Sequence, residues 1–503
     1  MLVGYITMLP DDYENLSQSV IATNFFGNNI LGAITTGNYW DVVNDYKPLM
    51  HTWYVGVIMQ FYIVFPILFY LARLDKRNSK GTLLTIIATL AVTSLLVYFA
   101  ITNTAHRFYY LPSRFFEFAV GGIAALLYKP QEDKPFSKGF VYVSYILLIA
   151  LMYVNVDILP ANIRLVAVVG LSCVLLCSQD VLENKVTGNA IISKIGAASY
   201  SIFIWHQVLL AFYRYSISNK FTIGSYAILL AATMVLSWLS YYFIEQGVTK
   251  ALKSKRERKP LYVITIIIFV ALNAFAGIVY LRAGVVRDVP ELDIYKNNVH
   301  RGMFAEYSDR IYEFDKDFQN HDKLNVFIIG NSFARDWANV LLESEWRDSI
   351  NISYVHTDNV DLPNIISRRS PMADVVFIHM DRSDVPKELW ECVPANVNVW
   401  GIGIKNYGES NGIIYAKRFT SEYFNLTVSP LKEIEEINTE WKREWGENYI
   451  DIMSYSRAKN GEIKVFTPDH KFISMDCRHL TQAGCRYYST VMDLNKYLRI
   501  NNY

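Results

Sequence analysis

The chain has 503 residues, of which 52% are hydrophobic and only 19% are charged. A mean hydropathy of +0.15 exceeds what soluble proteins normally carry, so part of the chain is expected to lie in lipid. A formal net charge of +1 argues against a nucleic-acid partner, and five cysteines in this length suggest no disulfide framework.

Long uncharged segments fill the chain up to residue 281, and sequence of mixed polarity follows. A run of about 20 apolar residues crosses a hydrocarbon core of about 30 Å. This length predicts eight spans, at 52 to 72, 82 to 101, 113 to 128, 139 to 155, 163 to 178, 197 to 216, 221 to 244 and 261 to 281. The segment 1 to 9 resembles the end of another span, which suggests a missing N-terminus. The Asn-rich segment 19 to 33 is expected to be interfacial or re-entrant.

Alternate loops between these spans differ strongly in positive charge. One set of loops holds most of the Lys and Arg residues, including the run KALKSKRERK at 250 to 259. Positively charged loops are retained in the cytoplasm. The pattern therefore predicts that His51 and everything after Arg282 lie outside the cytoplasm.

Ionisable residues near the spans are candidates for function, because a charge in lipid is costly. His51 and Trp53 stand at the outer end of the first span, where an aromatic belt with a capping histidine is the alternative. Arg114 and Glu117 would share a helix face, either in a substrate site or in a structural ion pair. His206 lies in mid-span, where a histidine is more often a packed or hydrogen-bonded helix contact.

Four stretches in this order resemble the acyltransferase family 3 membrane proteins, which are O-acetyltransferases of bacterial surface polysaccharides. They are KPLMHTWYVGVIMQFYIVFP (47 to 66), RFFEFAVGG (114 to 122), SYSIFIWH (199 to 206) and YFIE (242 to 245). The resemblance covers roughly residues 10 to 250. It implies transfer of an acyl group, expected to be acetyl from acetyl-CoA, through a membrane site formed by His51, Trp53, Arg114, Glu117 and His206.

Two departures from the family stand out. The family usually carries one or two glutamates where this chain has Ile58 and Met59. Its members also begin with a helix that bears a basic residue and a histidine, and this chain starts after that helix. Either the first helices are missing from this sequence, or the membrane half is impaired.

The second half begins near Arg287 and alternates strand and helix signals, which predicts an α/β sandwich. LNVFIIG and ADVVFIHM read as buried parallel strands. The first strand runs into GNSFARD, which would present Ser332 at the carboxyl end of a sheet, where ligands bind. Asp476 and His479 follow near the C-terminus, so serine, aspartate and histidine form a candidate triad. The alternative is a serine that caps a helix.

With GIKNYG at 403 to 408, these residues resemble the SGNH hydrolase and esterase family. The resemblance implies a three-layer, flavodoxin-like fold with Ser332 as nucleophile, activated by Asp476 and His479. It also implies an oxyanion hole formed by Asn406 and the backbone amide of Ser332. GNS stands where GDS is commoner, and the family's second conserved glycine has no counterpart that can be placed.

The predicted architecture is an α-helical polytopic membrane domain at 1 to 250, a basic loop with a linking transmembrane helix at 251 to 286, and an extracytoplasmic SGNH domain at 287 to 503. The expected protein is a multi-pass enzyme of the bacterial inner membrane with no metal and no bound cofactor. Its expected partners are an acyl-CoA donor, the lipid bilayer and a surface glycan such as lipopolysaccharide O-antigen.

Three other readings remain open at this point. A carbohydrate esterase would use the same triad, with water as the acceptor. A transporter would also carry polar residues in its spans, although paired inverted halves are not evident. A non-catalytic remnant that binds glycans would fit the departures from the first family.

Overall fold

A computed structural model describes residues 1–35, 42–74, 77–128, 136–154, 159–178, 189–319 and 322–498. The chain divides into two compact units. The helical unit comprises Leu16–Phe212 and Phe221–Gly277, and the sheet unit comprises Met1–Asn15, Tyr213–Lys220 and Ile278–Tyr503. The fold class is the predicted one, with long apolar helices followed by an α/β arrangement around a parallel sheet.

Helices dominate the chain as far as residue 281. In chain order they are α1 (Leu2–Thr7), α2 (Pro10–Asn24), α3 (Asn28–Thr35), α4 (Trp53–Ala72), α5 (Ser79–Ala100), α6 (Thr104–Tyr109), α7 (Leu111–Leu127), α8 (Lys138–Ala150), α9 (Ala161–Leu176), α10 (Ala190–Ala197), α11 (Ser199–Ser216), α12 (Ile223–Leu239), α13 (Gln246–Lys253) and α14 (Lys255–Leu281). Each of the eight predicted spans overlaps at least one of these helices, although α8 and α12 end before the spans predicted at 139 to 155 and 221 to 244 do. Residue 155, the last of one predicted span, lies outside the described part of the chain.

Among the described residues, four helical stretches are long and apolar enough to cross a membrane: Met50–Ala72, Ser79–Ala100, Ile223–Lys253 and Arg256–Leu281. A fifth crossing results if α10 and α11, which meet at a bend of 65°, are counted as one span. Helices α8 and α9 are apolar but shorter. The chain is therefore a multi-pass membrane protein.

Helices α5 and α7 pack closely in the helical unit. Ile87 and Ala91 of α5 share an apolar cluster with Phe115 and Ala119 of α7. The small alanines allow the two helices to approach each other. This packing holds the start of α7 in place, and that segment carries two of the predicted site residues.

The sheet unit is built on a five-stranded parallel sheet. Its strands are β1 (Leu324–Gly330), β2 (Ile350–Val355), β3 (Val375–His379), β4 (Asn398–Ile402) and β6 (Tyr449–Ile450), in the order β2-β1-β3-β4-β6. The short strands β5 (Thr427–Val428) and β7 (Ile463–Lys464) pair antiparallel in a second sheet. Both strands predicted from the sequence are confirmed as parallel neighbours, β1 and β3. The order is that of flavodoxin-like sheets, with a change of direction beside β1.

The remaining helices of this unit cover the sheet and its ends. They are α15 (Met303–Asp309), α16 (Ser332–Leu342), α17 (Leu362–Arg369), α18 (Lys387–Cys392), α19 (Asn411–Tyr415), α20 (Lys432–Trp445), α21 (Gln482–Val491) and α22 (Asn495–Leu498). Alternate residues of β1 enter two different cores: Ile328 packs in one cluster with Trp337 of α16, and Ile329 packs in the other with Ile366 of α17. Burial on both faces explains why β1 reads as a continuous apolar run.

The sheet unit also includes two short segments from the first half of the chain, so its extent differs from the predicted domain 287 to 503. The hydroxyl of Tyr215 accepts the Leu9 N–H at 3.0 Å and donates to Asp12 Oδ2 at 2.7 Å. The Arg287 guanidinium donates to the carbonyl oxygens of Tyr5 and Met8. These polar contacts attach both segments to the sheet unit.

Candidate active site

Strand β1 ends at a glycine that the site geometry requires. Gly330 has a φ of +151°, a conformation that L side chains rarely adopt. A Cβ atom at this position would lie 2.7 Å from the Cβ of Ala334 and 3.1 Å from that of His379. The chain can therefore pass directly from the sheet into α16 only because residue 330 has no side chain.

Ser332 is the first residue of α16, at the carboxyl end of β1. The cap of this helix is Asn331, whose side chain accepts a hydrogen bond from the Phe333 N–H at 2.9 Å. The Ser332 hydroxyl is therefore not used for capping, which was the alternative drawn from the sequence. A helix N-terminus also directs backbone N–H groups towards the space beside Ser332, where a developing negative charge would be stabilised.

The three residues predicted as a triad form a continuous hydrogen-bonded chain. His479 Nε2 lies 2.8 Å from Ser332 Oγ, and His479 Nδ1 lies 2.6 Å from Asp476 Oδ2. The other carboxylate oxygen of Asp476 accepts the backbone N–H groups of Arg478 at 3.0 Å and His479 at 2.7 Å. Burial alone would raise the pKa of Asp476, but hydrogen bonds from His479 and from the backbone hold this pKa below its usual value. Asp476 is thus an ionised acceptor for the histidine ring at neutral pH.

Asn406 contacts the turn that carries the aspartate and the histidine. Its side-chain amide donates to the carbonyl of Gly408 at 3.1 Å and, more weakly, to that of Cys477 at 3.5 Å. The Tyr407 N–H also donates to the Cys477 carbonyl, at 2.9 Å. In these contacts the Asn406 amide binds backbone carbonyls, so its role in an oxyanion hole stays a prediction.

Phe333, the neighbour of Ser332, contacts two histidine rings in an arrangement that no sequence motif indicates. The ring of Phe333 stacks on that of His379 at 4.9 Å and lies 5.8 Å from that of His479. His379 ends β3, directly opposite Gly330 in the parallel register. Its position at the end of a buried strand, next to the strand that precedes Ser332, was the signal in the sequence that could have identified it.

A buried ion pair was also missed. Asp336 and Lys405 are each 1% exposed in their side chains, and Lys405 Nζ lies 2.8 Å from Asp336 Oδ2. Lys405 belongs to the GIKNYG stretch and Asp336 to GNSFARD, so both lie inside motifs that were noted for other residues. Nothing in their spacing of 69 positions (405 − 336) indicates contact.

In the helical unit, the predicted pair at the start of α7 is formed. Arg114 Nη1 lies 2.7 Å from Glu117 Oε1, and Arg114 Nε donates to the Phe108 carbonyl at 2.9 Å. The guanidinium also lies over the rings of Trp53, at 5.8 Å, and Phe108, at 4.7 Å. The structure thus brings Trp53, Arg114 and Glu117 together in one cluster.

The two predicted histidines of the helical unit are also neighbours. The ring centroids of His51 and His206 are 5.4 Å apart, and Phe203 packs against both rings. His51 is 5% exposed, and neither of its ring nitrogens has a hydrogen-bond partner among the described residues. His51 and Trp53 are two positions apart in the chain, so both groups draw on the residues around the start of α4.

Two of the quoted sequence stretches meet through polar contacts. The Ser201 hydroxyl donates to Glu245, which ends YFIE, and Trp205 Nε1 donates to the Ser240 hydroxyl at 2.7 Å. Asn29 and Gln60 exchange a further pair of hydrogen bonds through their side-chain amides, at 3.3 and 2.9 Å. These amides were not singled out from the sequence, since Asn and Gln in apolar segments carry no distinctive spacing.

Comparison with known proteins supports the reading of the first half. Residues 9–242 match the family model described as an acyltransferase domain. No solved structure matches the chain.

The chain is also similar to several proteins of Staphylococcus aureus. One, from strain MRSA252 and named "Putative O-acetyltransferase", is 25% identical over 299 residues, which is 55% of this chain and 49% of that protein. The O-acetyltransferase OatA of strain COL is 25% identical over 238 residues, 42% of this chain and 39% of OatA. The matches therefore span half or less of the length of these relatives. Over residues 9–242, this chain is thus similar to the acyltransferase domain that the family model describes.

Proposed function

We propose that this chain is an O-acyltransferase that transfers an acyl group, acetyl in the simplest case, to hydroxyl groups of a surface polysaccharide such as lipopolysaccharide O-antigen. The helical unit takes the group from cytoplasmic acetyl-CoA, and the sheet unit works outside the inner membrane. The observation that carries the proposal is the hydrogen-bonded chain from Asp476 through His479 to Ser332. The acyltransferase domain match and the names of the relatives support the reaction class.

The proposed chemistry at Ser332 has two balanced steps. In the first, Ser332 Oγ attacks the acyl carbonyl carbon while His479 Nε2 takes the hydroxyl proton and passes it to the leaving group. In the second, a sugar hydroxyl attacks the acyl-enzyme, His479 takes its proton, and Ser332 Oγ regains a proton as the ester product leaves. Asp476 stabilises the imidazolium that forms in each step.

The test is the acetyl ester content of surface polysaccharide in a deletion strain complemented with the parent chain, with Ser332→Ala or with Ser429→Ala. Ser429 is an exposed serine of the same unit and serves as the matched control. The proposal expects esters with the parent and the control, and none with Ser332→Ala. Equal ester content in all three strains would contradict a role for Ser332 in transfer.

A carbohydrate esterase is the alternative that the same geometry favours, because water can replace the sugar in the second step. Purified chain in detergent, given para-nitrophenyl acetate and a polysaccharide acceptor, separates the two functions. Transfer predicts acetyl esters on the polysaccharide in proportion to its concentration. If all of the acetyl group appears as free acetate at every acceptor concentration, the esterase is the correct function.

A further inference from the structure

Asp336 links the helix that carries the serine to the turn that carries the histidine. It lies four residues after Ser332 on α16 and is 1% exposed in its side chain. Its Oδ2 atom accepts the backbone N–H of Leu480 at 2.9 Å. Leu480 directly follows His479, so this hydrogen bond fixes the backbone at the base of the histidine side chain.

The charge on Asp336 is balanced by a lysine that is equally buried. Lys405 Nζ lies 2.8 Å from the same Oδ2 atom and 4.2 Å from the ring centroid of Phe333, the neighbour of Ser332. A carboxylate without such a partner would be strongly disfavoured in this position. Lys405 therefore compensates the charge of the carboxylate that accepts the Leu480 N–H. A charged acceptor forms the stronger hydrogen bond.

We propose that Asp336 and Lys405 are positioning residues of the site: by fastening Leu480 to the serine helix, they set the separation between His479 Nε2 and Ser332 Oγ. This inference rests on the proposed role of Ser332 as a nucleophile. Neither residue touches the reacting atoms, and both act through His479. A catalytic group displaced by about 1 Å can lose about 10²-fold in rate, so a single hydrogen bond at this place has a measurable effect.

The test compares two double variants that are both uncharged at the pair. Asp336→Asn with Lys405→Met keeps a side-chain carbonyl that can accept the Leu480 N–H. Asp336→Leu with Lys405→Met has a similar volume and lacks any acceptor. The use of double variants avoids leaving one buried charge without a partner, which would unfold the unit.

The readout is labelling of the full chain in detergent by a fluorophosphonate, in which Ser332 Oγ bonds to phosphorus, fluoride leaves, and His479 takes the proton. The final extent of labelling measures the number of correctly folded molecules. The rate constant of labelling reports the alignment of His479 with Ser332. The Leu-containing variant is expected to label about tenfold or more slowly than the Asn-containing variant. The Asn-containing variant is expected within about threefold of the parent, since its acceptor is retained.

A buried arginine with two partly exposed carboxylate partners, on the other side of the sheet, provides the control. Arg369 is 4% exposed in its side chain and pairs with Asp315 at 3.0 Å and Asp317 at 2.9 Å. Arg369→Met is expected to lower the labelled endpoint and to leave the rate constant of the labelled molecules unchanged. Amide hydrogen exchange over residues 474 to 482 is expected to quicken only in the Leu-containing variant.

The outcomes distinguish this inference from the function on which it rests. Equal rate constants for the two double variants, in a parent chain that labels at Ser332, would overturn the positioning role. A parent chain that does not label at Ser332 would contradict the proposed nucleophile. In that case the hydrogen-exchange comparison still decides whether Asp336 fastens the turn.

Discussion

Asp476 uses one carboxylate oxygen for the ring of His479 and the other for the backbone of the turn. Replacement of Asp476 by Asn keeps an oxygen for the backbone but presents an amide N–H₂ to His479 Nδ1. The ring is then held in the wrong tautomer, so the rate of para-nitrophenyl acetate hydrolysis is expected to fall by up to about 10⁴-fold. Asp469→Asn, at an exposed aspartate nearby in sequence, is the control and is expected to keep the parent rate. A loss of less than tenfold in Asp476→Asn would contradict the orienting role.

His379 is a buried histidine whose protonation should govern the acid stability of the sheet unit. Its Nδ1 atom donates to the Ile402 carbonyl at 2.9 Å, and burial together with the Lys405 ammonium lowers its pKa to about 3. The unfolded chain binds the proton near pH 6.5 and the folded chain only near pH 3, so stability falls as pH drops between these values, by up to about 1.4 kcal/mol per pH unit.

His379→Asn keeps a donor for the Ile402 carbonyl and cannot gain a charge. The unfolding midpoint of the sheet unit, followed by pulse proteolysis of the full chain in detergent, should therefore depend less on pH between 6.5 and 4 than in the parent. His356→Asn, at a histidine that is 30% exposed in its side chain, should retain the parent slope. Parallel curves for the parent and His379→Asn would show that His379 is not the responsible group.

Sequence patterns identify residues whose chemistry depends on short spacing. The positions of Asp476 and His479, three apart, and of Ser332 in its turn were predicted, and the structure brings the three together. Asp336 and Lys405 carry no such signal, because their contact is created only when two distant segments fold against the same sheet.

At the scale of elements, the turn from β1 into α16 requires glycine at residue 330, and the cost of replacing Gly330 can be measured. Alanine at residue 330 would be strained by the positive φ and would also overlap Ala334 and His379. The expected loss in the free energy of unfolding is about 2 kcal/mol or more, of which about 1 kcal/mol comes from the backbone conformation alone. Hydrolytic activity should fall as well, since Ser332 follows two residues later.

A substitution at Gly461 measures the strain of a positive φ without the overlap between side chains. Gly461 has a φ of +84°, and no atom lies within 4 Å of the position that its Cβ would take. Gly461→Ala should therefore show the conformational cost alone and retain activity. If the two alanine variants lose equal stability and keep equal activity, crowding beside Ser332 is not what requires glycine at residue 330.

The elements with the strongest periodic or apolar patterns were predicted most closely. The runs LNVFIIG and ADVVFIHM became β1 and β3 because burial on both faces selects continuous apolar residues. The two-residue strands β5, β6 and β7 were not predicted, since so short a segment has no period and depends on its neighbours for pairing.

At the scale of the whole molecule, the apolar first half and the mixed second half correspond to different kinds of packing. The sheet unit contains Ile278–Tyr503 and also takes in Met1–Asn15 and Tyr213–Lys220, two segments of the predicted membrane domain at 1 to 250. Hydropathy cannot predict that these two segments pack with the sheet unit, because in the sequence they adjoin membrane spans. Their packing depends instead on hydrogen bonds of Tyr215 and Arg287.

The two-stage function predicts that a change in the helical unit blocks supply of the acyl group without disabling Ser332. Arg114→Met removes the ion pair to Glu117 and the cation over Trp53 and Phe108. In inverted membrane vesicles given radiolabelled acetyl-CoA, this variant should place no label on Ser332, because the donor is available only on the cytoplasmic face. Para-nitrophenyl acetate that is radiolabelled in its acetyl group reaches Ser332 directly. With this donor, the variant should label Ser332 to the same extent as the parent.

Arg73→Met is the control for a lost positive charge, since Arg73 lies at the end of α4, outside the predicted site. It should keep both labelling reactions. Loss of labelling from both donors in Arg114→Met would mean that the substitution disturbs the sheet unit as well, and the experiment would then argue against separate stages. Normal labelling from acetyl-CoA in Arg114→Met would show that acyl transfer does not require Arg114. The ion pair with Glu117 would then have a structural role.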